Sequence, residues 1–280
     1  HLIKLDDEWE YPILKGTEEI DIVFCIDATG SMGKWLNAAK DRTREIAFES
    51  KTRNPNYSFR FGVIFYRDPI KDIKDKNEYF QPTDDIERLV NFMATQKPWG
   101  GGNDGPEDWL SGYQCLIDPN NPLRFDSFAK KIVIHIADSP SHGMAFNQGS
   151  YSIPTISKDP NRDRELYEEM DREHDQKVPK ILRELAHQGF QFFCICANGN
   201  PSTKNSFYEA NNIYKSVRSK TFTIQSIRNI DNEIEIFQTV KNIALQSIDS
   251  SVAVYTQSNT TTYNDKNQGK TYNDKNQGKS

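Results

Sequence analysis

The chain has 280 residues, a length that suits one large α/β domain with appendages or two smaller domains. Its 35 Lys and Arg residues against 40 Asp and Glu residues give a net charge of −5, which argues against a general nucleic-acid or anionic-membrane surface. No run approaches the roughly 18 apolar residues of a membrane span, and the opening HLIKLDDEWEYPILKG has no signal-peptide core. We therefore expect no membrane span and no nucleic-acid partner.

The cysteines indicate a reducing environment. Cys25, Cys194 and Cys196 lie within strongly apolar runs, where Cys behaves as a small hydrophobic residue, and the fourth is Cys115. The C-x-C spacing of Cys194 and Cys196 differs from the C-x-x-C of zinc and redox sites. These features favour reduced thiols and a cytoplasmic location. The first residue is His and not Met, so we interpret the chain as a fragment whose targeting information lies elsewhere.

Five apolar runs with little alternation predict strands that are buried on both faces, as in parallel sheets. They cover residues 20–27, 58–68, 130–138, 190–198 and 220–227, with a short antiparallel edge strand expected at 78–81. Segments with helical periodicity lie between them, at 32–50, 85–95, 107–117, 179–187, 205–217 and 231–248. This alternation predicts the doubly wound α/β class, with a mostly parallel central sheet and helices on both faces.

Three segments fall outside this pattern. Residues 1–18 are interpreted as an N-terminal extension of a domain that spans residues 19–257. Residues 142–176 are long, polar and contain two prolines, which predicts a solvated insertion with at most a turn or two of helix, or a partner-binding lid. The tail, 258–280, carries TYNDKNQGK twice in succession and has too few apolar residues to fold, so we expect disorder there.

Polar side chains follow two of the predicted strands. The first strand ends at Asp27, with Thr29 and Ser31 just beyond it, and the strand at 130–138 ends at Asp138. Ligands of doubly wound sheets bind at the carboxyl ends of the strands, so we expect these groups to converge. Carboxylate and hydroxyl oxygens without His or Cys suit Mg²⁺ or Mn²⁺ and argue against zinc. Hydroxyl ligands leave the cation under-neutralised, so such a site would attract an external carboxylate.

The D-x-T-x-S run at Asp27, the turn GGxxDGPED and the phrase HIADSPSHG together resemble the metal-ion-dependent adhesion site of von Willebrand factor A domains. They are most similar to the subgroup found with α-kinases in protists, although no kinase domain is present. The resemblance covers roughly residues 21–248 and implies the doubly wound fold.

The resemblance also implies roles for particular residues. It makes Thr29 and Ser31 direct hydroxyl ligands of the metal, with Asp27 and Asp138 close by and often acting through water. Gly105 stands where many members have a ligating Thr, which leaves Asp104 or a water as its replacement. The open position of the metal would be filled by an Asp or Glu of a protein partner, a binding function without catalysis.

An enzyme is the alternative interpretation. Thr29 to Gly33 comes within one residue of a G-x-S-x-G nucleophile elbow, with Ser31 as nucleophile and Asp138 and His142 or His187 downstream. The first glycine is missing and the serine follows the wrong strand, which favours the binding module. Two further residues have open roles: Trp99 and Trp109 flank the Gly-rich turn as binding anchors, or Trp109 belongs to the core.

Overall fold

The structure is a computed structural model that describes residues 18–68, 77–100, 105–117, 123–148, 159–217, 222–227 and 232–268. The strands are β1 (Glu18–Asp27), β2 (Tyr57–Tyr66), β3 (Glu78–Thr83), β4 (Lys130–Ala137), β5 (Gln191–Cys196) and β6 (Phe222–Ser226). The helices are α1 (Gly33–Arg53), α2 (Ile86–Thr95), α3 (Trp109–Ile117), α4 (Met144–Asn147), α5 (Pro160–His187), α6 (Pro201–Lys215) and α7 (Glu233–Gln268). Short 3₁₀ turns follow β1 and β5, at Gly30–Met32 and Ala197–Gly199.

The described strands form one six-stranded sheet in the order β3-β2-β1-β4-β5-β6. All neighbouring pairs are parallel except β2 and β3, which pair in antiparallel fashion at one edge. The strand order reverses between β1 and β4, and this is the topological switch point where doubly wound sheets bind ligands. The predicted fold class and the antiparallel edge strand are thus confirmed.

Two apolar cores lie on opposite faces of the sheet. Alternate residues of β1 face each of them, Phe24 on one side and Cys25 on the other. Helices α1, α2 and α7 cover the first face, and α3, α5 and α6 cover the second. All four cysteines are buried and free, as the surrounding apolar runs predicted for Cys25, Cys194 and Cys196. Within the described ranges, every helix is either too short or too polar to cross a lipid bilayer.

Helix α5 corrects the prediction of a polar insertion at 142–176. The structure has the four-residue α4 and then a continuous helix from Pro160, so Pro179 lies inside α5 and does not begin it. An interior proline costs about 3 kcal/mol in an isolated helix. The helix nevertheless continues because a stripe spaced three or four residues apart is buried along its length: Asp163, Tyr167, Asp171, His174, Val178, Leu182 and Leu185.

The terminal segments differ in what the structure describes. The predicted extension 1–18 lies outside the described residues apart from Glu18, which begins β1. Helix α7 runs on to Gln268, so residues 258–268 are helical where we expected disorder. The rest of the expected disordered tail, 269–280, lies outside the described residues, as do 149–158 of the expected insertion.

Candidate functional site

Asp27 is the last residue of β1 and is fully buried at the switch point. Its Oδ1 accepts hydrogen bonds from the backbone N of Thr29 at 2.9 Å and from Thr29 Oγ1 at 2.6 Å. Its Oδ2 is also buried, and no group in the described part of the chain donates a hydrogen bond to it. A buried polar atom without a partner is costly, which marks this oxygen as a position for a ligand.

The surroundings of Asp27 disfavour its negative charge. Burial raises the pKa of Asp27 from 3.8 to about 7, and the nearby carboxylate of Asp138 adds to the rise. The two hydrogen bonds from Thr29 oppose this effect, and Asp68 increases it slightly. The carboxylate form therefore lacks compensating positive charge at neutral pH.

Asp138 directly follows β4, beside Asp27. Its Oδ1 accepts hydrogen bonds from Ser31 Oγ at 3.1 Å and from Ser139 Oγ at 3.4 Å. Its Oδ2 accepts one from Asn198 Nδ2 at 3.3 Å. Burial raises the pKa of Asp138 despite these neutral donors. The carboxyl ends of β1 and β4 thus bring together residues that the sequence analysis singled out: Asp27, Thr29, Ser31 and Asp138.

Trp99 and Gly100, which precede the undescribed part of the Gly-rich turn, lie against the loop that follows β1. The backbone N of Gly30 donates to the Gly100 carbonyl at 3.2 Å, and the N of Trp99 donates to the Ala28 carbonyl at 3.1 Å. Gly100 has φ of 79°, a left-handed conformation that favours glycine. Asp104 lies outside the described residues, so the choice between Asp104 and water as a ligand stays a prediction.

The residues present fit a hard divalent cation. Two buried carboxylates with raised pKa values, one of them with an orphaned oxygen, would be stabilised by positive charge between them. A cation held only by His, Cys, Asp or Glu side chains would need at least three of them close together. Among the described residues, no such group of three is found. A cation here would therefore depend on the hydroxyls of Thr29 and Ser31 and on water, as Mg²⁺ sites often do.

Two polar neighbours of the candidate site were not singled out in the sequence. Asp68 follows β2 at the same edge of the sheet and accepts a hydrogen bond from His142 Nε2 at 3.0 Å. Asn198 follows β5 and contacts Asp138. Their positions directly after strands were a usable signal, since every strand of the parallel set ends at this edge.

His142 and Trp109 are core residues, whereas Trp99 lies at the rim. His142 is fully buried between Asp68 and Asp171, whose Oδ1 lies 3.6 Å from His142 Nδ1. Trp109 is fully buried and packs on His135 with ring centroids 4.7 Å apart. Trp99 is 39% exposed and its ring lies 5.2 Å from the Arg67 guanidinium. Of the two tryptophans, Trp99 is thus the one available to a partner.

The geometry does not support a hydrolase. Ser31 Oγ donates its hydrogen bond to Asp138 and not to a histidine. His142, a proposed triad member, is buried and bound to Asp68. In a Ser-His-Asp triad the serine hydroxyl donates to a histidine, which an acidic side chain in turn orients. Neither described contact provides that arrangement.

The sheet order and the two-sided helical cover define a doubly wound α/β domain, and the polar strand ends form a candidate ligand site at its switch point. Residues 21–124 match the sequence model of the von Willebrand factor A domain. This part of the chain is therefore similar to von Willebrand factor A domains, which are typically protein-interaction modules.

Two curated relatives and one solved structure illustrate the similarity. Alpha-protein kinase vwkA of Dictyostelium discoideum is 28% identical over 151 residues, which cover 54% of this chain and 23% of the relative. Human von Willebrand factor A domain-containing protein 7 is 28% identical over 115 residues, which cover 40% of this chain and 12% of that protein. A crystal structure of the pilus adhesin SpaC from Lactobacillus rhamnosus GG superposes with a TM-score of 0.50 and 11% identity, covering 83% of this chain and 31% of that one. The chain thus spans less than a quarter of the length of either curated relative.

Proposed function

We propose that this domain is a non-catalytic protein-binding module that captures an Asp or Glu of a partner through a bound Mg²⁺ or Mn²⁺. Thr29 and Ser31 would hold the cation by their hydroxyls, with Asp27 and Asp138 beside it and Asp104 or a water completing the set. The bound cation would supply positive charge for the partner's carboxylate. The chemistry is ligand exchange at the metal, without bond cleavage.

The observation that carries this proposal is the orphaned Oδ2 of Asp27. This oxygen is buried, receives no hydrogen bond from the described residues, and belongs to a carboxyl group that lies near a second buried carboxylate. Such an arrangement is unfavourable in the protein alone and becomes favourable once a cation occupies the space. The net charge of −5 would otherwise repel an acidic ligand, so the cation is what makes the capture favourable.

Titration calorimetry with Mg²⁺ tests the metal site. We expect one binding event for the wild type and none for Asp27→Asn, which keeps the size of the side chain and removes its charge. Asp21→Asn is the matched control, because Asp21 is also buried on β1 but lies six residues away, roughly 20 Å along the strand, paired with Arg60. Equal heats from wild type and Asp27→Asn would contradict the proposal.

Capture of a partner forms the second test. Proteins retained from a lysate on the immobilised chain should be released by EDTA and recovered with Mg²⁺ or Mn²⁺. Ca²⁺ should support capture poorly, because it prefers longer bonds and more ligands. Thr29→Ala and Ser31→Ala should weaken retention without changing the circular dichroism spectrum. A partner that stays bound in excess EDTA, and to Asp138→Ala, would show that another face is used.

A serine-directed activity probe separates the two classes of function. We expect no specific labelling of Ser31, because its hydroxyl donates to the Asp138 carboxylate and not to a histidine of a catalytic triad. Specific labelling of Ser31 would instead favour the hydrolase alternative.

A further inference from the structure

The side chain of Asn198 connects the candidate site to helix α1. The residue lies in the 3₁₀ turn directly after β5, with φ of 57° and ψ of 8°. This left-handed conformation is uncommon outside glycine, and Asn is among the few other residues that adopt it readily. The turn brings the side chain of Asn198 to the carboxyl edge of the sheet, beside Asp138.

The two ends of the Asn198 amide have different partners. Its Nδ2 donates to Asp138 Oδ2 at 3.3 Å, and its Oδ1 accepts from Trp35 Nε1 at 3.1 Å. An indole N–H can only donate, so the amide oxygen must face Trp35 and the amide NH₂ must face Asp138. Trp35 itself is fixed, since it lies in the first turn of α1 and its side chain is buried in the core.

The Asn198 amide is neutral, so its hydrogen bond to Asp138 brings no positive charge to the carboxylate. The described donors to the Asp138 carboxylate are the hydroxyls of Ser31 and Ser139 and this amide. Each donor orients the carboxylate without neutralising it. A Lys or Arg at position 198 would compete with the cation, and an Asp there would add a third negative charge to the site.

We propose that Asn198, locked by Trp35, is a positioning residue that orients Asp138 for the cation and, by being neutral, leaves the cation enough charge to attract an external carboxylate. This inference rests on the proposed function. It assigns to the end of β5 a part in both metal affinity and ligand capture. Groups that orient a metal's neighbours typically change metal affinity by 10- to 100-fold when removed.

The first experiment measures Mg²⁺ affinity by calorimetry in Asn198→Gly and Trp35→Phe. Glycine suits the left-handed backbone, so Asn198→Gly removes both hydrogen bonds without strain. We expect its Mg²⁺ affinity to fall about tenfold. Trp35→Phe removes only the donor that locks the amide, and we expect a smaller loss in the same direction. Unchanged affinity in Asn198→Gly would overturn the positioning role.

The matched control is Gln148→Gly. Gln148 is the other described non-glycine residue with positive φ, at 56°, and it is exposed at the end of α4. It shares the backbone conformation of Asn198 but has no hydrogen bond to the candidate site among the contacts described. We expect its Mg²⁺ affinity to equal that of the wild type, and a loss equal to that of Asn198→Gly would overturn the assignment to Asn198.

The second experiment uses Asn198→Asp with Mn²⁺ and acetate. Acetate that enters the coordination sphere of Mn²⁺ has its methyl proton resonance broadened, so the broadening per bound Mn²⁺ reports capture of a carboxylate. We expect Asn198→Asp to bind Mn²⁺ at least as tightly as the wild type. The acetate resonance should be broadened several-fold less per bound Mn²⁺, because the added carboxylate neutralises more of the cation's charge. Unchanged broadening, or loss of Mn²⁺ binding, would overturn the role of neutrality.

These outcomes distinguish the inference from the function on which it rests. A wild-type protein that binds neither Mg²⁺ nor Mn²⁺ would contradict the proposed function itself. A wild type that binds the metal and broadens acetate, with Asn198 variants that behave identically, would contradict only the role of Asn198.

Discussion

At the scale of single residues, burial leaves the Asp27 carboxyl group without compensation for its negative charge. It lies at the end of a central strand, where its backbone is fixed on both sides by β2 and β4. It cannot move toward solvent without disrupting the sheet. Its charge must therefore be met by a ligand or suppressed by protonation.

The raised pKa of Asp27 predicts how stability depends on pH without metal. In the unfolded chain this carboxyl loses its proton near pH 3.8, whereas in the folded protein it holds the proton until about pH 7. Between these values the folded state binds more protons, so the contribution of Asp27 to the free energy of unfolding falls as pH rises. In EDTA, urea unfolding of the wild type should show this decline, and Asp27→Asn should lack it. Mg²⁺ should offset the decline above pH 7, and identical pH profiles for the two proteins would contradict this reading.

His135 predicts the opposite dependence in the core. Burial lowers the pKa of His135 from 6.5 to about 3, and its ring nitrogens are hydrogen-bonded to Tyr66 at 2.8 Å and Tyr113 at 3.0 Å. In the unfolded chain His135 binds a proton below about pH 6.5, whereas in the folded protein it stays neutral down to about pH 3. The free energy of unfolding therefore falls as pH falls through this range. The loss from His135 should reach ~2 kcal/mol between pH 8 and pH 5.

Comparison with His135→Gln isolates this contribution. The variant should be less stable overall, because glutamine cannot reproduce both contacts with the tyrosines. Its free energy of unfolding should nevertheless fall less steeply between pH 8 and pH 5 than that of the wild type. A slope equal to that of the wild type would show that His135 does not control this range.

At the scale of elements, β3 depends on a close approach to β2 at Gly62. A Cβ added at Gly62 would lie 2.8 Å from the Phe80 carbonyl and 2.9 Å from the Pro82 nitrogen, at the register shift between the two strands. We expect Gly62→Ala to lower the free energy of unfolding by about 1–3 kcal/mol, since backbone atoms must shift. Chemical denaturation measures the change. Gly30→Ala is the control, because its Cβ would meet its nearest neighbour at an ordinary 3.5 Å; equal losses would contradict the steric explanation.

Helix α5 is tied to the loop after β4 by its Asp171 carboxylate. Asp171 Oδ1 accepts hydrogen bonds from the backbone N of Gly143 at 2.7 Å and from Asn147 Nδ2 at 3.2 Å. Asp171→Ala leaves these buried donors without that acceptor, and we expect a loss of about 2 kcal/mol in the free energy of unfolding. The exposed neighbour Arg172→Ala serves as the control and should change stability little. A similar loss in both variants would contradict the assignment of the effect to the Asp171 hydrogen bonds.

At the scale of the whole molecule, the buried residues that the structure describes end before the repeat. Val252 is the last buried residue described on α7, and the duplicated TYNDKNQGK segment contains one aromatic and no aliphatic residue per copy. Burial of apolar area is the main source of stability, and this segment has little to bury. The helical assignment up to Gln268 does not alter that composition.

Deletion of residues 258–280 should therefore leave the melting temperature within about a degree of the full chain. Differential scanning calorimetry of the two proteins at equal concentration is the measurement. As a comparison, truncation after residue 243 removes the buried Leu245, Ile248 and Val252 and should lower the melting temperature by many degrees. A drop of several degrees for the shorter deletion would mean that the tail packs on the domain.

The sequence by itself determined the fold class and the edge of the sheet at which polar residues meet. Apolar runs such as 20–27 and 130–138 had to become buried strands, and parallel strands joined by helices place all their carboxyl ends together. Asp27 and Asp138 could therefore be singled out from their positions after strands. The cation itself, and Asp104 as its ligand, stay predictions.

Only the tertiary structure decided the course of α5, the pairing of His142 with Asp68, and the link from Trp35 through Asn198 to Asp138. Local sequence around Pro179 argued for a helix start, but burial of one face against α3 and α6 outweighed the cost of the proline. His142 and Asp68 are 74 residues apart, and Trp35 and Asn198 are 163 apart. Contacts at such separations depend on how helices and strand ends pack in space, and neither periodicity nor local motif encodes that packing.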